Sequence, residues 1–406
     1  MRLHSDRRAA VLLGAAGLSL AMAIYFTRQT GPGVDLWAFY RAAGAMLRGG
    51  NPYSVKDFVS PPGLAVLLEP LARLPFHVAY FVFLTGTGLL GGLSAFLFGR
   101  QLGWKHPKLL AVGSFLSWFG FSSLLQGQVD ALLLAALLGS LLLLIRGRML
   151  AAGLVIGLFW LKPDLMWPAV LFAGIAIWTD RKALTRYLIG LAASSAVFLG
   201  LGAGFLGDWV HVLVGFGGWV GRQPDLAGLP ALLGAAPSAW GLGSGFHSPL
   251  TWALLAATLA GMSWLGYRIA WSPRWRQMPE DRRILWAVGL AMGLWLLVTP
   301  YSHPNDDLLI LPLVVLVIGK DAISAGERGP ATALLLMAVT PIAWLWIPFG
   351  LDWIAVAALL VAALPALGQE MALTDCQMGQ VSRHSSSTLS LTVAQHRPGP
   401  NRSQIP

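Results

Sequence analysis

The sequence predicts an all-α, polytopic membrane protein, and three observations lead there. Of 406 residues, 56% are hydrophobic and only 11% are charged, against roughly 25% charged residues in an ordinary soluble domain. Apolar runs of about 17–25 residues, the length a helix needs to cross a bilayer, recur along the chain. The basic residues gather on alternate connections between these runs, as positive-inside sorting requires. A soluble enzyme is excluded by the first observation alone. The only cysteine, Cys376, sits in a polar tail, so neither an intrachain disulfide nor a cysteine-based metal site can form.

Taken in order, the first element is an apolar run over 9–26 behind Arg2, Arg7 and Arg8. It resembles a signal peptide, but no small-residue cleavage site closes it, so an uncleaved first span is expected. Further spans are expected at 76–99, 107–123, 127–145, 149–161, 164–179, 185–206, 249–271, 283–299, 305–319, 330–348 and 351–367, about twelve in all. Residues 1–367 thus form one transmembrane domain. The segment 368–406 is rich in Ser, Gln, Arg and Pro and reads as a disordered cytoplasmic tail.

Charge sets the orientation. With the N-terminus in the cytoplasm, 21 of the 28 basic residues lie inside, against 8 acidic ones. The outside keeps 7 basic residues, Lys162 included, against 10 acidic ones. The net charge of +10 is therefore a matter of insertion and of anionic lipid on the inner face, and nucleic acid drops out as a partner. Both termini are expected inside.

Two outside segments are long, 28–75 and 207–248. The second is rich in Gly, Trp and Pro and carries no readable chemistry. In the first, Leu36, Phe39, Tyr40, Ala43, Met46 and Leu47 follow helical spacing, with Arg41 and Arg48 on another face and Gly49-Gly50 as a stop. An amphipathic helix on the outer membrane surface is expected. Asn51-Pro52-Tyr53 forms a turn. After Pro61-Pro62 the stretch 63–71, interrupted by Glu69-Pro70, is too short to cross and reads as a re-entrant or surface helix.

Ionisable groups at membrane depth are costly and point to function. Here they collect at the outer ends of the spans: Asp35, Gln126, Gln128, Asp130, Lys162, Asp164, Ser302, His303, Asn305, Asp306 and Asp307. If those ends converge, they enclose one polar cavity beneath the two long segments. Each group has a plainer reading beside the functional one. Asp35 is either a first-turn acid favoured by the helix dipole or a carboxylate placed to take a proton from a hydroxyl. Gln126 to Asp130 carries short polar side chains at a tight turn between two spans and is either a plain loop or part of a functional site. Lys162, before Pro163, either snorkels or binds an anion. His303, between two prolines, either caps the next helix with Asn305 and Asp306 or donates to a phosphate. Signatures of nucleotide hydrolysis, zinc proteolysis and serine hydrolases are absent, as is any Asp-x-Asp, and the eight His offer no local metal-ligand pair.

The order of these motifs resembles that of glycosyltransferase family 87, the polyprenol-phosphate-mannose-dependent mannosyltransferases of the GT-C membrane fold. Asp35, Phe39-Tyr40-Arg41-Ala42-Ala43, Gly50-Asn51-Pro52-Tyr53 and Ser60-Pro61-Pro62 come first; Gly127-Gln128, Leu161-Lys162-Pro163 and Pro300-Tyr301-Ser302-His303 with Asp306 follow. The likeness spans about 10–367. Asp130 departs from it, standing where relatives more often carry an amide. The resemblance implies an inverting transfer of a sugar, mannose by family, from a polyprenyl-phosphate donor to a hydroxyl of a lipid-linked or cell-envelope glycan on the outer side of the plasma membrane. It implies Asp35 as general base, and Lys162, His303 and Arg41 at the donor phosphate. Tyr40, Tyr53, Gln128, Asp164, Asp306 and Asp307 would contact sugar or acceptor. No cofactor and no metal are expected, membrane lipids are the surroundings, and no feature sets an oligomeric state. The competing class is a transporter or lipid-linked sugar flippase, for which Lys162-Pro163 would be a broken helix, although neither repeated halves nor midplane charges are seen.

Overall fold

A computed structural model describes residues 33–104, 107–220, 249–299, 303–318, 356–357 and 359–372, with Ala21 and Tyr25 as isolated helical residues. The expected spans at 9–26 and 330–348, the stretch 221–248, Ser302 and the tail beyond 372 lie outside the described residues. Among those described, every element is helical and no strand occurs.

Three helices are long and apolar enough to cross a membrane by length and composition: Phe76–Gln101, Arg181–Leu201 and Trp252–Trp271. They expose large apolar side chains, among them Phe81, Leu89, Val197 and Trp264. In water such a surface would be a liability; against lipid it is the expected one. The more buried helices are shorter: Asp130–Ile145, Pro163–Ala176 and Glu280–Val298. Their Leu- and Ala-rich faces supply a large share of the core, with Trp286 and Phe172 fully enclosed.

The short helices have local causes. Lys162 and His303 precede prolines, which disfavours the helical conformation for both; Lys162 (φ −145, ψ 78) and His303 (φ −105, ψ 158) are extended, and each following proline starts a new helical turn. The expected helix over 107–123 is instead two, Pro107–Leu116 and Trp118–Gln126. Ser117 divides them: its hydroxyl donates to Ser114 O at 2.6 Å and accepts from the N–H of Gly120 at 3.2 Å. The expected helix at 305–319 begins as a 3-10 turn, Pro304–Ile310, before Leu311–Ile318. The last described helix runs through Ala372, past the Gly368 limit read from composition.

Small residues let helices cross closely. Met149–Ile156 and Arg181–Leu201 meet where a Cβ on Gly153 would collide with the Tyr187 carbonyl and one on Gly190 with the Leu150 carbonyl. Gly157 faces Ser194 in the same way. With apolar lipid outside, packing of this kind, not hydrophobic exclusion, holds helices together. At the C-terminal end of the 163–176 helix, Arg283 donates from Nε to Ala176 O at 2.8 Å and so satisfies an orphan carbonyl.

The stretch 34–72 forms two helices, Val34–Leu47 and Pro62–Ala72, the second running through Pro70 without a break. Their buried faces, Leu36, Phe39, Ala42 and Ala43 on one and Leu64, Ala65 and Leu68 on the other, belong to the same core. The apolar face predicted for 34–47 is thus covered in part by protein, while Arg41 and Trp37 stay exposed.

Candidate active site

Four helical segments begin near one another, and each carries an acid in its first turn: Asp35, Asp130, Asp164, and Asp306 with Asp307. A helix N-terminus favours a nearby negative charge, which makes a cluster of acids tolerable there. The segments are joined by specific bonds. Lys162 Nζ donates to Asp130 Oδ1 at 3.0 Å and to Asp306 Oδ1 at 2.7 Å. Both acids are fully buried and the Lys162 side chain is only 12% exposed. Asp306 Oδ2 in turn accepts the backbone N–H of His303 at 2.7 Å, fixing the turn that presents the imidazole. Burying two carboxylates around one ammonium carries a desolvation cost. Helix dipoles offset part of that cost, and a buried charge without such compensation is strongly destabilising.

Asp35 reaches the same end of the bundle through a second set of bonds. Gly33 donates from its N–H to Leu125 O at 2.8 Å, just ahead of the helix that carries Asp35. Tyr80 donates from its hydroxyl to the same carbonyl at 2.9 Å. Gly127, with φ +72, leaves no room for a side chain: a Cβ would stand 2.5 Å from Leu36 Cβ. The glycine before Gln128 is therefore required both by backbone conformation and by contact with the 34–47 helix. Three residues later the chain reaches Asp130. The turn 125–130 thus connects Asp35's helix to the Lys162 set.

The remaining predicted residues fall into two groups. Gln128 is buried, and its Oε1 has no hydrogen-bond partner among the described residues; Asp307 is buried beside Asp306. Asp164 is exposed, and its main-chain carbonyl accepts Trp295 Nε1–H at 2.7 Å. Tyr40 and Tyr53 lie in the 34–72 stretch, and each phenol donates to a carbonyl: Tyr40 to Leu74 O at 2.8 Å, Tyr53 to Ser60 O at 3.0 Å. Burial pushes the Tyr53 phenol above its ordinary pKa, and the Asp208 carboxylate adds to the effect. Arg41 is exposed on the 34–47 helix.

Two features went unread in the sequence. The first is the partnership of Asp130 with Lys162; the acid was visible, but nothing local marks a pairing across 32 residues. The second is the helix Leu206–Val220, which opens the Gly- and Trp-rich segment. Asn51 Nδ2 donates to Asp208 Oδ2 at 2.8 Å and Trp209 Nε1 donates to Val59 O at 3.1 Å. The Trp209 ring meets Trp160 edge-on, centroids 6.4 Å apart. The 51–59 stretch and the 206–220 helix are therefore bonded to each other, and the latter touches the stretch leading into Lys162.

Chemically, the site offers carboxylates at helix starts, one ammonium and a neighbouring imidazole. No group of three or more His, Cys, Asp or Glu residues that could hold a metal ion occurs among the described residues. Against known proteins, the model of glycosyltransferase family 87 matches residues 58–300, more than half of the chain. The matched range contains Gln128, Asp130, Lys162 and Asp164. Neither the curated proteins nor the solved structures contain a match.

Proposed function

The chain belongs to glycosyltransferase family 87, and from that membership we propose that it transfers a sugar, mannose, from a polyprenyl-phosphate donor to a hydroxyl of a lipid-linked or cell-envelope glycan. It works within a twelve-span bundle of the plasma membrane, both termini inside and the 34–47 helix at the outer surface. The site faces outward, among membrane lipids and without a metal or other cofactor.

The observation that carries the reading is the gathering of Asp35's helix, the 125–130 turn and the Asp130–Lys162–Asp306 set at one end of the helices. In the proposed reaction Asp35 takes the acceptor's hydroxyl proton. The oxygen attacks the anomeric carbon from the side opposite the phosphate, so the configuration inverts. The bond from the anomeric carbon to the phosphate oxygen breaks, and polyprenyl phosphate leaves with the electron pair. A phosphate is a competent leaving group, so orientation and charge placement matter more than a strong acid. Lys162, His303 and Arg41 receive the phosphate charge. Lys162 must then exchange part of its bonding to Asp130 or Asp306 for the donor. Gln128, its buried oxygen unpartnered among the described residues, takes a sugar hydroxyl, as do Asp164, Asp306 and Asp307, and Tyr40 and Tyr53 face the acceptor side.

The test is transfer of labelled mannose from polyprenyl phosphate by the purified chain, with mass analysis of the product. An Asp35→Asn variant that folds normally yet transfers at the wild-type rate would remove Asp35 as base.

A further inference from the structure

The structure contains an apolar groove of about 670 Å³ between the 163–176, 181–201 and 249–271 helices. It lies toward the C-terminal end of the first, the N-terminal end of the second and the C-terminal end of the third. Its walls include Phe172, Ile175, Leu188 and Met262. Two hydroxyls in the lining are already bonded to helix carbonyls: Tyr187 donates to Val170 O at 3.0 Å and Ser263 to Leu259 O at 2.7 Å. The wall accordingly presents hydrocarbon and suits an alkyl chain rather than a sugar. Leu171, Leu188, Tyr267 and Trp271 are exposed along it, so the groove opens sideways between two of the span-length helices.

The mouth has a different character. Trp178 and Trp271 pack at 5.4 Å between centroids, Tyr267 stacks on Trp271, and the Arg181 guanidinium lies 4.7 Å above the Trp178 ring. Aromatic rings and an arginine at the end of an apolar cleft match the two halves of an amphiphile with a negative head. The adjacent acid, Asp180, is engaged in capping: its carboxylate accepts the N–H groups of Lys182 and Ala183.

We propose that this groove binds one anionic phospholipid, with an acyl chain between the helices and the phosphate at Arg181. The site is separate from the sugar-transfer site and does not depend on that reading. The chain purified in mild detergent is titrated with phosphatidylglycerol or phosphatidylcholine and followed by native mass spectrometry. One phosphatidylglycerol is expected to be retained about fivefold or more tightly than phosphatidylcholine, since a single arginine near a lipid headgroup contributes roughly 1 kcal/mol. Arg181→Gln removes the preference and Arg181→Lys restores most of it, whereas Ser263→Trp, which fills the groove, weakens both lipids. Equal binding of the two lipids, or binding unchanged in both Arg181→Gln and Ser263→Trp, overturns the proposal. Displacement of phosphatidylglycerol by an equimolar polyprenyl phosphate also overturns it, by making the groove part of the donor path.

Discussion

Lys162 and Asp306 are 144 positions apart in sequence and 2.7 Å apart in space. With Asp130 on the other side of the ammonium, they tie three helix starts into one buried set.

The ammonium and its carboxylates respond differently to mutation. Lys162→Ala leaves two buried carboxylates facing each other and is expected to cost about 3–5 kcal/mol, seen as a lower melting temperature in detergent. Asp130→Asn keeps the Lys162–Asp306 pair and is expected to cost far less. Equal losses would show that the pairing with Lys162 does not set the cost.

Asp35→Asn keeps the shape of the side chain and removes its basicity. The transfer rate is expected to fall about 10²–10⁴-fold at unchanged melting temperature, with partial recovery in Asp35→Glu. A fall in stability without a matching fall in rate would assign Asp35 to the helix dipole instead.

Tyr53 offers a pH test with a defined sign. The ordinary phenol pKa is 10.0, and in the folded chain burial raises it. Tyr53 therefore adds stability that is complete below pH 10; as pH rises further, the unfolded phenol ionises first and the contribution is lost. The melting-temperature advantage of wild type over Tyr53→Phe should shrink above pH 10 and stay constant below it.

Gly127→Ala probes the contact between the 125–130 turn and Asp35's helix. A left-handed alanine costs about 1–2 kcal/mol, and the new methyl would also press on Leu36. Gly103→Ala is the control, since that position has φ +75 but nothing within 4 Å of an added Cβ. Gly127→Ala should lower the transfer rate by more than its lost stability explains, while Gly103→Ala should lower stability alone.

The parts of this structure that sequence revealed are those with local causes. Lys162 and His303 stand before prolines, so the breaks in the apolar runs were visible, and with them the polar ends. The 34–47 helix was legible from its spacing: Leu36, Phe39 and Ala43 are buried and Arg41 is exposed. What could not be read was pairing. Which acid meets Lys162 depends on how helices assemble, and hydropathy assigns a polar residue to an end without naming its neighbour. Composition also overstated the continuity of 107–123, because a buried Ser117 bonding its own backbone leaves no trace in hydropathy. The helix at 206–220 was hidden by glycines and tryptophans that read as loop.

The Asn51–Asp208 and Trp209–Val59 bonds have a bearing on inheritance. Residues 150 and more apart form one joint beside the stretch that leads into Lys162, so neither 51–59 nor 206–220 is a free module. A recombinant that imports a 206–220 lacking the acid at 208 and the indole at 209 would lose both bonds at once. Exchange of either stretch between family members, by evolution or by design, is therefore expected to preserve the joint only when those two side chains travel with it.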